Sequence, residues 1–332
     1  MVRFGRALVG LLWVATSAAG GDLVAPRSVV ESEAAVFQRD GAPAEVVLRG
    51  NGATIQARGE AVLAPGLYTV RPAEGRSLRD LFLPRLLRVR PLPPALPPGA
   101  PLAERIACVQ VHRWDGGQTA LGRFLNGLGR TAGSLLVPPQ YRFAWILSGP
   151  QTTRANVRGA IDALASRGYV VDVFSAVHGY PIQLADGEWA PDHPGLASVR
   201  LFYTTACWGA QGQAAFRAAG VRTYVASQGV NLVSGFHLAA FSRGWAAEET
   251  VADAAARGWR VTRGAGDSVL LRWLVRRATG LPPGADLTRT WADTEPLVFG
   301  DPTVRILSDP RPAPSPAAVP AAVGIVGAIE RR

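Results

Sequence analysis

The chain has 332 residues, 48% of them hydrophobic and 18% charged, which describes a globular protein with room for one large domain and a smaller companion, and excludes a disordered chain. The formal charge of +10 comes from 35 basic residues that are all arginine; a chain without lysine excludes a phosphate-loop lysine, a kinase strand lysine and a Schiff-base lysine. The arginines form no run interleaved with aromatics on one element, so the expectation is a diffuse basic surface and no nucleic-acid partner.

Residues 1–20 begin with Arg3 and Arg6, continue through an apolar stretch from Ala7 to Val14 and end in the small residues Ser17-Ala18-Ala19. That order predicts a signal peptide and an exported protein, whether periplasmic, cell-surface or extracellular. The apolar stretch falls short of the roughly 20 residues a spanning helix needs, so no stable membrane insertion is expected.

Residues 22–90 read as a small β-rich module. AEVVLRG, ATIQARG and GLYTVRP are short strands between Gly- and Pro-rich turns. No chemistry is visible there; a pro-segment, an inhibitory partner of the following domain, a docking module and a packing extension all remain open. Residues 91–103 begin with PLPPALPPGAP, six prolines in eleven residues, a composition that favours extended polyproline and predicts a linker.

Residues 104–308 change rhythm to alternating strands and helices. RIACVQVH, YRFAWILSG, YVVDVFSAVHG, VRLFYTTACWG and VRTYVASQGV are apolar strands. TALGRFLNGL, TTRANVRGAIDALASRG, GQAAFRAAG, SGFHLAAFSRGWAAEE, TVADAAARG and SVLLRWLVRRATG are helices, the second capped by Thr152 or Thr153 and stopped at Gly168. Such alternation predicts an α/β fold: a mostly parallel sheet covered on both faces, three layers in all. The Pro- and Ala-rich residues 309–332 read as a tail.

Two strands carry the chemistry. One ends in His178-Gly179 and the other in Ala206-Cys207. Parallel neighbours would deliver a thiol and an imidazole to one carboxyl edge, where open α/β sheets place their sites, and that pair is a recognisable nucleophile and acid/base. Cys108 and Cys207 are the only cysteines, and their spacing suggests neither a disulfide framework nor zinc. Read plainly, Cys207 is an inert core thiol and His178 a turn residue. His193 is expected to face solvent and His237 to pack in the core, while His112, at the end of its strand beside Arg113 and Asp115, is a candidate to line a cleft.

The two blocks resemble the caspase-like clan of cysteine peptidases, which includes caspases, metacaspases, legumains, gingipains, clostripain and separase-like domains. The order of elements from Arg105 onward is similar. So is PLVFGDPTVRI near the end, which resembles the segment closing gingipain-type catalytic domains. The likeness covers about residues 105–308. It implies a caspase-like three-layer sandwich and a cysteine endopeptidase acting on protein or peptide substrates without a cofactor or metal. Cys207 would form the thioester and His178 would be the general acid/base. The backbone N–H groups of Gly179 and Cys207 would form the oxyanion site. Ser227 and Gln228 stand where the family carries a Ser-aromatic pair beside its specificity site; Gln228 departs from that pattern. Asp172, Asp186 and Glu188 are acidic candidates for receiving a basic side chain, with Asp172 alternatively exposed in mid-strand. A non-catalytic scaffold that binds or assembles is the competing reading.

Overall fold

The computed structural model describes residues 23–26, 28–39, 42–73, 85–113, 137–177, 179–229, 231, 234–266, 269, 273 and 295–308. The signal-peptide segment, the tail, the helix read at TALGRFLNGL and most of the one at SVLLRWLVRRATG lie outside the described residues, as do His178 and Asp115. The chain divides into two compact units, 1–92 and 93–332.

The first unit is built on a five-stranded sheet. Its strands are β1 (Ser28–Val30), β2 (Glu45–Gly50), β3 (Ala53–Arg58), β4 (Gly66–Pro72) and β5 (Arg85–Arg90), in the order β1-β5-β4-β2-β3. Alternation decides what it buries: Val46 and Leu48, Tyr68 and Val70, and Leu87 and Val89 point to one face and close a core with Phe37 and Leu23.

The second unit contains a six-stranded sheet. Its strands are β6 (Ile106–His112), β7 (Phe143–Ser148), β8 (Val170–Ala176), β9 (Val199–Thr204), β10 (Thr223–Ser227) and β11 (Pro296–Gly300). Their order is β7-β6-β8-β9-β10-β11. The first five run parallel and β11 is antiparallel at the edge. Every residue of β6, β8, β9 and β10 is buried, which explains their near-continuous apolar runs: strands covered on both faces have no solvent side to mark with polar residues.

Helices supply the cover. α1 (Arg154–Ala165) starts at Thr153, whose side chain accepts from the Asn156 N–H, and buries Val157, Ala160, Ile161 and Leu164. The hydroxyl satisfies one of the donors that a helix start leaves without an internal partner. α2 (Gln213–Ala218) places Phe216 against Phe202 and Tyr224, with ring centroids 4.5 Å and 5.3 Å apart. On the opposite face, Leu201, Tyr203 and Val225 meet α3 (Ser234–Ala246) and α4 (Val251–Gly266) through Leu238, Phe241, Trp245, Ala254 and Ala255. The protein is therefore an α/β fold with a mostly parallel sheet between two helical layers, preceded by a β-rich unit.

Most of the 91–103 run belongs to the second unit, which begins at Pro93. Leu96 N–H donates to the Arg167 carbonyl (2.9 Å), and the Tyr169 hydroxyl donates to the Pro94 carbonyl (3.3 Å). Near the amino ends of the strands lies a buried ion pair. Arg200 donates through Nε to Asp172 Oδ1 at 3.0 Å and through Nη2 to Oδ2 at 2.5 Å, while Nη1 reaches the carbonyls of Ile306 and Ser308. The Tyr141 hydroxyl donates to Asp172 at 2.7 Å and accepts from Trp245 Nε1 at 2.8 Å. Neither charge is exposed. This corrects the reading of Asp172 as a solvent-facing residue, and equally as a free acidic group: a carboxylate so enclosed is costly without a cation, and Arg200 already occupies it. His193 also departs from expectation. Its ring is buried, with Nδ1 3.2 Å from Asp162 Oδ1, so it ties the loop before β9 to α1. His237 packs in the core as expected, its Nδ1 bonded to the Tyr203 hydroxyl.

Candidate active site

β8 and β9 are adjacent and parallel, and Ser175 and Thr204 are their last paired residues. Beyond that pair Thr205 N–H donates to the Ser175 carbonyl at 2.9 Å. In the sequence His178 and Cys207 follow Ser175 and Thr204 by three residues each. The imidazole of His178 is not described, but its neighbour is: the backbone N–H of Gly179 is directed at the Cys207 sulfur. Gly179 has φ +68°, a left-handed conformation that glycine adopts freely, and an added Cβ there would meet nothing within 4 Å. The two strand ends that the sequence singles out therefore meet at the thiol.

Cys207 is half-buried, and both cysteines are free. The Asn231 N–H donates to its sulfur at 3.3 Å. Burial pushes the thiol above its ordinary range, while the N–H groups of Asn231, Cys207 itself and Gly179 pull the other way by favouring the anion. Burial outweighs them. Cys108, by contrast, is fully enclosed and raised much further, by burial and then by the nearby Asp172 carboxylate. Only Cys207 combines access with donors.

The local sequence explains the turn that holds this thiol. Ala206 to Gly209 form a tight turn closed by Gly209 N–H donating to the Ala206 carbonyl at 3.1 Å. Trp208 has φ +60° and ψ +16°, the left-handed third position of a type II turn. A Cβ on Gly209 would lie 3.1 Å from Thr204 Cγ2 and 3.2 Å from the Ala226 Cβ, so the turn presses directly on β9 and β10. Trp208 N–H donates to the Gly229 carbonyl and the Tyr224 hydroxyl to the Gly209 carbonyl, both at 2.8 Å.

Of the remaining sequence candidates, Ser227 is buried at the end of β10 and its hydroxyl accepts from Asn231 Nδ2 at 3.3 Å; it helps fix the residue whose N–H reaches the sulfur. Gln228 is exposed immediately beyond. His112 ends β6 buried, with Nε2 2.8 Å from Gln110 Oε1. Asp186 accepts from the Arg154 N–H at 2.8 Å and pairs with its guanidinium. Glu188 is exposed, 3.5 Å from Gln183 Nε2. Asn231 was not among the candidates; its role depends on a main-chain donor, and any residue type but proline supplies one. Among the described residues no group of His, Cys, Asp and Glu could hold a metal ion.

No protein-family model matches the chain, and no curated protein does. Two solved structures do.

In fold the chain is similar to a caspase and to a gingipain. One structure is caspase-1 from Spodoptera frugiperda, at 10% identity and a TM-score of 0.33, covering 63% of this chain and 93% of that one. The other is the complex of the Porphyromonas gingivalis RgpB pro- and mature domains, at 13% identity and a TM-score of 0.37, covering 62% of this chain and 50% of that one.

Proposed function

We propose that the protein is an exported cysteine endopeptidase. Cys207 attacks the substrate carbonyl to form a thioester, and His178 takes and returns the proton. The peptide-bond carbon becomes tetrahedral, the amine leaves with a proton from the imidazole, and water then releases the acid and the free thiol. The backbone N–H groups of Gly179 and Cys207 receive the oxyanion; losing one such donor costs typically about 3 kcal/mol of barrier. The observation that carries this reading is the convergence of the Gly179 and Asn231 N–H groups on a half-buried sulfur at the shared end of two parallel strands. Export rests on the 1–20 segment, and an inhibitory role for the first unit is an extension of the same reading.

One observation favours a second reading, a non-catalytic scaffold: burial holds the thiol up and protonated. Iodoacetamide labelling of Cys207, followed by mass spectrometry from pH 5 to 9, separates the two. A live enzyme labels fast below pH 7, slows in His178→Ala, and loses peptide cleavage by about a thousandfold or more in Cys207→Ala. A labelling rate that rises only above about pH 8.5, unchanged in His178→Ala, is an ordinary thiol's profile and sinks the peptidase reading. N-terminal sequencing of the protein recovered outside the cytoplasm tests export: an intact Met1 there, or no protein there, removes it.

A further inference from the structure

Trp208 follows the thiol directly, is 46% exposed, and sits in a conformation that disfavours every side chain but glycine's, by about 1–2 kcal/mol. Bulky residues in this region persist where the surroundings over-determine them, and such sites concentrate at functional positions. The surroundings here do so: four hydrogen bonds fix the turn, with Trp208 N–H to Gly229, Gly209 N–H to Ala206, Gln211 N–H to Trp208 and the Tyr224 hydroxyl to Gly209. Core packing accounts for only part of the indole, since nearly half its residue surface meets solvent. Nor is it held by another ring among the described residues. A turn that demands a left-handed residue thus carries the largest side chain available, aimed out of the fold one residue from the sulfur.

The charge around it is the second observation. The described ends of the five parallel strands run through 110–113, 146–151, 175–177 with 179–184, 204–213 and 227–229, and they contain no Asp or Glu. Arg113 lies at this edge, bonded to the Leu184 carbonyl. Of the acidic candidates, Asp172 is committed to Arg200 and Asp186 to Arg154, while Glu188 is exposed in the hairpin just past these stretches with no described cation. No described carboxylate acts on the Cys207 thiol, so none is placed to compensate a desolvated cation there, whereas a flat indole offers area and ring-edge attraction to an aromatic group.

We infer that Trp208 is a specificity-determining residue that selects, at the Cys207 site, polypeptides presenting an aromatic or large apolar side chain next to the reacting carbonyl, rather than a charged one. This rests on the peptidase reading for the word polypeptide; the aromatic selectivity itself is testable without turnover. The full mature protein is alkylated with iodoacetamide and with N-benzyl iodoacetamide, and rates at Cys207 are compared with those of glutathione. The benzyl reagent should gain about fivefold over the glutathione ratio. Trp208→Phe should keep most of that gain and Trp208→Gly should lose it, each read as the ratio of benzyl to plain iodoacetamide rates within the same variant. An equal benzyl gain in Trp208→Gly, or a larger gain for an aminoethyl reagent, overturns the inference. Peptide cleavage is measured alongside. Cleavage that favours aromatic residues in wild type but not in Trp208→Gly supports both readings. Absent cleavage with the benzyl gain intact removes the peptidase and leaves the aromatic site.

Discussion

The two ends of the central sheet are built on opposite principles. Toward the amino ends of the strands, Asp172 and Arg200 are sealed from solvent, and Tyr141, Trp245 and the carbonyls of Ile306 and Ser308 complete the network. The Asp172 carboxylate holds Arg200 charged against a burial that opposes it. At the carboxyl ends the polar atoms are less enclosed: a half-buried sulfur, backbone donors aimed at it, a glycine facing open space and a tryptophan in a left-handed turn. One end is finished in the folded chain. The other has donors and apolar surface still available to something that is not part of it. The buried ion pair and the proposed site thus lie at opposite edges of the same strands, as open α/β sheets allow.

That contrast predicts where substitutions act. The largest stability effect belongs at the amino end. Asp172→Ala leaves Arg200 buried without its counter-ion and should cost about 3–5 kcal/mol in denaturant unfolding; pairing it with Arg200→Met should recover part of that loss. A change under about 1 kcal/mol in Asp172→Ala would mean that the network contributes little.

Between the sheet and α3, His237 is enclosed and bonded to Tyr203, and burial depresses its pKa to about 4. In the unfolded chain it titrates near 6.5. Below that pH the unfolded state binds a proton that the folded state refuses. The stability held by neutral His237 is therefore present above about pH 6.5 and lost as pH falls toward 4, by up to about 3 kcal/mol. His237→Leu should flatten that part of the pH–stability curve, measured by urea unfolding at fixed ionic strength. An unchanged slope would show that other groups generate it.

The smallest effect belongs at the carboxyl end. Trp208→Gly relieves a left-handed conformation but also removes a half-covered indole, so the two effects offset and net stability should change by only about 1 kcal/mol or less. A clear loss of stability would mean the indole is a structural element after all.

Much of this was legible in the chain. Continuous apolar runs such as IACVQV and RLFYT follow from burial on both faces, Thr153 marks its helix by the hydroxyl cap, and Gly179 and Cys207, just past two strand ends, fall beside one another because parallel neighbours share an edge. Periodicity carries such information because burial and capping act on neighbouring residues. Four features needed the tertiary structure. Asp172 reads as an ordinary mid-strand acid until Arg200, on the next strand, is brought to it and the Ile306 carbonyl to Arg200. His193, in a polar loop, is buried only because Asp162 on α1 lies against that loop. The donors at Cys207 come from backbone atoms of Gly179 and Asn231, which no side-chain pattern encodes, and the exposure of Trp208 depends on a turn pinned by Tyr224 and Gly229. The sequence determined the elements and the residues able to do chemistry; long-range contacts decided which of them are neutralised, enclosed or left open.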